Sequence, residues 1–146
     1  MVLCQLAYPD MKSSHARRFR RAKWPPNLRP MNSKRHIVVL EEDPLIRPLV
    51  ERWLGEADYQ VVAPEGATRP ALVIADVPDP GAAGTLIRSL QEYAAPILVV
   101  SARFRRGLAG SAEAARRLGV EKVLPKPFTR KELLTAVREV LAAGDA

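Results

Sequence analysis

Five short segments constrain this chain more than anything else in it: HIVVLEE, YQVVA, ALVIAD, PILVVSA and EKVLP, spaced from residue 36 to residue 125. Each is short and apolar without the polar alternation of a half-exposed strand, so each has to be covered on both faces. Helical patterns lie between them. In DPLIRPLVERWLGEA, Asp43 is placed to cap a helix and Pro44 to occupy its first position, where a missing N–H costs nothing. Leu45, Leu49 and Trp53, with Ile46 and Leu54 beside them, are expected to form its apolar face. AAGTLIRSLQEY and LAGSAEAARRLG read as further helices, and TRKELLTAVREVLAAG as a strong last one, with Thr129 as cap, Glu132 completing a capping box and Gly144 beyond the end. Alternating buried strands and helices predict an α/β, doubly wound fold on a five-stranded parallel sheet.

The chain has 146 residues, room for one ordinary domain and a tail. Its single cysteine, Cys4, excludes an internal disulfide. No apolar run reaches the length of a membrane span, and MVLCQLAYPD lacks the basic start and the length of a secretory signal. A cytoplasmic protein is expected.

Charge is unevenly placed. Residues 1 to 36 hold nine basic residues against Asp10 alone, a surplus of +8, while the remainder carries 14 basic and 15 acidic residues. The same segment holds Trp24-Pro25-Pro26 and Pro30 and shows no apolar period, so residues 1–35 are expected to be a disordered basic extension and 36–146 the folded domain. Two readings of the extension stand side by side. ARRFRRAKW could hold the phosphates of nucleic acid or an acidic membrane surface through charge and stacking. Alternatively the extension is solvated or mis-assigned, with Met31, just before the first strand, as the natural start.

In a doubly wound sheet the ligand site lies outside the carboxyl ends of the strands. This sequence puts Glu41 and Glu42 after the first strand, Asp76 at the end of the third, Ser101 at the end of the fourth and Lys126 after the fifth. Adjacent carboxylates about 4 Å apart repel by roughly 4 kcal/mol in a protein-like dielectric. Positive charge is therefore required among them, and Lys126 together with a divalent cation such as Mg2+, which one or two carboxylates and waters can hold, would supply it.

Over residues 36 to 143 the chain resembles a response-regulator receiver domain, similar to the single-domain chemotaxis-type regulators. The resemblance is carried by the acid pair in LEEDP, by DVPDPGAAG with a proline four and a glycine eight positions after Asp76, by the Ser-Ala pair of VVSA, and by LPKPF. It implies a flavodoxin-like strand order 2-1-3-4-5. It also implies that Asp76 takes a phosphoryl group from a histidine kinase or phosphotransfer protein, with Mg2+ held by Glu41 or Glu42, by Asp76 and by the backbone carbonyl of Pro78. Lys126 would contact the phosphoryl oxygens, and the Ser101 hydroxyl would move inward to another. Such a protein signals by conformational change and by docking on a downstream target, and its only catalysis is its own phosphorylation and dephosphorylation.

Four features depart from the family. Glu42 stands where aspartate usually meets the metal, Pro48 lies in the second turn of the first helix and should bend it, and Val123 replaces an aromatic side chain three residues before Lys126. Between YQVVA and ALVIAD only PEGATRP remains, roughly 23 Å if extended, so the second helix is shortened or absent. An extended strap is expected there, leaving one sheet face thinly covered and open to a partner or to a second copy in a homodimer. Three functions follow: a phosphorylated receiver, a pseudo-receiver acting as a phosphorylation-independent interaction module, or a nucleic-acid binder working through its basic segment. Against the last, nothing in residues 36–146 resembles a helix-turn-helix. His15 and His36 read as solvated residues, and Arg103, Arg105 and Arg106 as a loop or part of a partner-facing surface.

Overall fold

All five apolar segments become strands of one parallel sheet in the computed structural model, which describes residues 34–79, 81–104 and 108–144. They are β1 (His36–Leu40), β2 (Gln60–Val62), β3 (Leu72–Asp76), β4 (Ile97–Ser101) and β5 (Lys122–Pro125), in the spatial order β2-β1-β3-β4-β5. The helices are α1 (Ile46–Glu56), α2 (Ala83–Leu90), α3 (Leu108–Leu118) and α4 (Arg130–Gly144). Of the expected basic extension, residues 1–33 lie outside the described residues.

Side chains alternate across the sheet and divide the core in two. Ile37, Val39, Leu72, Ile74, Leu98 and Val100 face α1 and α4. Val38, Val73, Ala75, Val99 and Val123 face the other way, toward α2 and α3. This is why the strands read as unbroken apolar runs.

Helix α1 begins as expected and packs differently. The Asp43 carboxylate accepts the N–H groups of Leu45 at 2.8 Å and Ile46 at 3.4 Å, and the Asp43 carbonyl accepts Arg47 N–H at 3.0 Å, so Asp43 starts the first turn although the regular helix is counted from Ile46. The buried positions are Val50 and Leu54, flanked by Ile46 and Trp53. Leu45 and Leu49, expected on the inner face, are instead 78% and 45% exposed. A stripe through 46, 50, 53 and 54 and one through 45, 49 and 53 differ by about one residue's rotation, and the sheet selects the first because it buries the larger continuous set. Pro48 does not interrupt the helix, which runs unbroken to Glu56. It falls in the first regular turn, where an absent N–H costs least.

At the far end, α4 carries the expected capping box. Glu132 N–H donates to Thr129 Oγ1 at 3.2 Å, and Thr129 N–H donates to Glu132 Oε2 at 2.6 Å. Gly144 is the last residue of α4 and not the one beyond it.

The short crossover from β2 to β3 makes one 3-10 turn, Pro64–Gly66, and then runs as a strap in which Arg69 adopts φ 48° and Pro70 is buried. It covers the sheet better than its length suggests. Val38 beneath it is fully buried, with Ala67 and Leu86 packed in the same cluster, and Leu40 and Val62 are half-buried. Coverage there is thus partial, complete over Val38 and incomplete over Leu40 and Val62. The two large apolar residues given as exposed among the described residues, Leu45 and Leu49, lie on α1.

Candidate functional site

Strand register brings the site residues to one edge. Leu40 pairs with Ala75, so Glu41 stands level with Asp76; Asp76 pairs with Val100, and Ser101 with Pro125, so Lys126 follows one residue beyond. Lys126 N–H donates to the Ser101 carbonyl at 2.8 Å, extending the ladder as the chain leaves β5.

From there the Lys126 ammonium reaches back over the sheet. Its Nζ lies 2.8 Å from Glu41 Oε2 and 2.9 Å from Asp76 Oδ1. The Glu41 side chain is only 2% exposed, and its Oε1 accepts Asp43 N–H at 3.1 Å. The ammonium facing Glu41 Oε2 compensates a buried charge that would otherwise be costly. Burial pulls the Lys126 ammonium down, but the hydrogen bonds to Glu41 and Asp76 outweigh it and hold its pKa above the ordinary lysine value. Part of the positive charge that the acid cluster demands thus comes from the chain itself.

Glu41, Glu42, Asp76 and Pro78 all line one cavity of about 460 Å3. Two residues that the sequence reading did not place there, Arg47 and Pro64, line it too. A signal for Arg47 was present: it follows Asp43 by four residues, one helical turn, which returns its side chain toward the end of β1. Pro64 had none, because it reaches the wall only through the shortened crossover.

Ser101 lies apart from that cavity lining. It is fully buried, its hydroxyl donates to the Val77 carbonyl at 2.6 Å, and it accepts Arg103 N–H at 3.2 Å. Lys126 lines a separate, largely apolar groove of about 440 Å3 with Ile46, Leu49, Trp53 and Phe128. There Trp53 and Phe128 meet edge to face, with ring centroids 6.5 Å apart, joining α1 to the start of α4.

Among the described residues no group of three His, Cys, Asp or Glu side chains is arranged to hold a metal ion. Glu41, Glu42, which is exposed, Asp76 and Pro78 share the cavity wall. Two carboxylates and a carbonyl suit a hard divalent cation that keeps much of its water.

No family model matches the chain. It is 31% identical over 117 residues to Protein PetR of Rhodobacter capsulatus, a match covering 73% of this chain and 48% of that protein. The chain thus spans about half the length of that relative. Solved structures agree in fold. A response regulator receiver protein from Burkholderia phymatum superposes with a TM-score of 0.58 at 25% identity, covering 75% of this chain and 96% of that one. A response regulator from Thermotoga maritima gives 0.61 at 20% identity, covering 75% and 99%. The chemotaxis protein CheY4 of Vibrio cholerae gives 0.55 at 20% identity, covering 74% and 99%.

Proposed function

We propose that this chain, whose fold is that of CheY-like response-regulator receiver domains, accepts a phosphoryl group on Asp76 and passes the signal on by docking to a protein target. The observation that carries the reading is the Asp76 carboxylate itself. It ends the central strand, is 20% exposed on the wall of a cavity, and has one oxygen held by the lysine that follows β5.

A carboxylate oxygen of Asp76 attacks phosphorus, forming the acyl phosphate. The bond to the donor's leaving atom breaks, and the electron pair leaves with the donor. Little covalent help is needed, so the protein's task is alignment and charge neutralisation. Lys126 provides the first positive charge and, held by Glu41, stays in position through the transfer. Glu41 or Glu42, Asp76 and the backbone carbonyl of Pro78 would hold Mg2+, which would supply further positive charge. Ser101 would need to exchange its bond to Val77 for one to a phosphoryl oxygen. A histidine kinase or phosphotransfer protein is the natural donor, and Leu45 and Leu49, exposed on α1 beside the apolar groove, give such a protein an apolar contact.

Incubation with acetyl phosphate and Mg2+, followed by intact mass, tests the reading. The wild type should gain one acid-labile phosphoryl group and Asp76→Asn none; an Asp76→Asn variant modified at the wild-type rate removes Asp76 from the role. The buried Ser101 hydroxyl and the buried Val123 favour a second reading, a pseudo-receiver that binds its partner unmodified. A wild type that takes no phosphoryl group selects it.

A further inference from the structure

The charge balance of the Asp76 cavity leaves a specific deficit. Glu41, Glu42 and Asp76 bring three negative charges, and the one Lys126 ammonium is already shared between two of them. The phosphoryl group carries roughly two negative charges at neutral pH, and because Asp76 gives up its own on forming the acyl phosphate, transfer adds about one more. Among the described residues lining the cavity, Arg47 is the one cation.

Its setting is that of a charge held beside the site without being consumed. The backbone bond from Arg47 N–H to the Asp43 carbonyl, 3.0 Å, fixes its Cα in the first turn of α1. Its side chain is half exposed and donates from Nε to Glu51 Oε1 at 2.8 Å, one turn further along the helix. A guanidinium carries five N–H donors in a planar fork, of which this bond uses one, and the fork matches phosphate oxygens in pairs. The bond to Glu51, the charge of Glu51 and, more weakly, the charge of Glu65 all raise the Arg47 pKa. Glu65 belongs to the 3-10 turn that stands where a second helix would otherwise begin, and its neighbour Pro64 forms part of the cavity wall.

We propose that Arg47 is a phosphoryl-contacting residue of this site, resting on Glu51 and turning its free donors onto the transferring group opposite Lys126. The proposal rests on the reading of Asp76 as acceptor. In the reaction with acetyl phosphate, the phosphorus–oxygen bond to acetate breaks as the bond to Asp76 forms, and acetate leaves with the electron pair. Arg47 moves no proton; it neutralises charge on the phosphoryl oxygens.

The test compares initial phosphorylation rates with acetyl phosphate and Mg2+, alongside calorimetric affinity for fluoroberyllate, a phosphoryl mimic, in five proteins. Arg47→Ala should be slower by about tenfold, the loss of one charge-assisted contact, and should bind fluoroberyllate correspondingly more weakly. Arg47→Lys should fall between, because a point charge replaces a fork. Arg52→Ala, which breaks the equivalent exposed pair with Glu56 on the same helix, should match the wild type. Glu51→Gln separates contact from support: it frees the guanidinium and should raise the rate, whereas a purely structural Arg47–Glu51 pair makes Glu51→Gln and Arg47→Ala slow alike. Arg47→Ala with wild-type rate and wild-type affinity overturns the proposal, as does parallel slowing of those two variants. A wild type that acetyl phosphate does not modify defeats the acceptor reading instead, and the fluoroberyllate affinities then decide Arg47 by themselves.

Discussion

Lys126 is the residue on which the site's electrostatics turn, because it neutralises a glutamate with almost no access to water. Breaking a buried ion pair by removing one partner typically costs about 3–5 kcal/mol, since the remaining charge stays buried. Lys126→Met should destabilise the fold by that order in urea unfolding. The double variant Glu41→Gln, Lys126→Met should recover most of the loss, and a double-mutant cycle reads the coupling directly. A pH dependence accompanies it. The ammonium's pKa is raised in the folded state, so the stability it contributes is complete below the unfolded lysine value of about 10.4 and is lost as pH rises through the folded value. The wild-type melting temperature should therefore fall across that alkaline range more steeply than that of the double variant. Equal slopes would show that Lys126 contributes no linkage. The acid cluster and Lys126 were legible in the sequence because each closes an apolar strand. That Lys126 is bound to Glu41 as well as to Asp76 was not, because residues 85 positions apart meet only when the strand order is known.

At the scale of elements, caps were easier to read than faces. The Asp43 start of α1 and the Thr129–Glu132 box of α4 are local hydrogen bonds between residues two or three apart, and the sequence pattern specifies them directly. The buried face of α1 depends on the rotation of the helix against β1 and α4. Two overlapping apolar stripes were available in PLIRPLVERWL, and packing chose the one through Val50 and Leu54. The consequence is measurable. Leu54→Ala should cost about 2–5 kcal/mol, whereas Leu49→Ala should change stability by less than about 0.5 kcal/mol. A large loss at Leu49 in chemical denaturation would show that its exposed face is packed. The crossover is intermediate: its brevity announced the missing helix, but not the single 3-10 turn or the burial of Pro70.

For the whole molecule, the division of charge makes one prediction. Every residue assigned to the site lies beyond position 40, and the surplus of +8 lies before position 37. A chain beginning at Met31 should keep its melting temperature and its phosphorylation rate. If the basic segment binds nucleic acid, the full chain should retard DNA at low salt, release it steeply as salt rises, and lose it altogether on truncation. Loss of folding or phosphorylation in the shortened chain would mean that the first 30 residues pack against the domain. Among the described residues no helix is long and apolar enough to cross a membrane.

By itself the sequence determined the fold class, the strand set, the caps and the acid–serine–lysine series, because each is written in short-range patterns: apolar runs, helical period, and the residue that ends a strand. Tertiary structure alone decided three things. It bound Glu41 to Lys126 inside the protein. It tied the Ser101 hydroxyl to the Val77 carbonyl, and it brought Arg47 and Pro64 onto the wall beside Asp76. The reason is the same in each case. These are meetings between different strands and connections, and their geometry depends on sheet register and on the length of the β2–β3 crossover, neither of which any local pattern encodes.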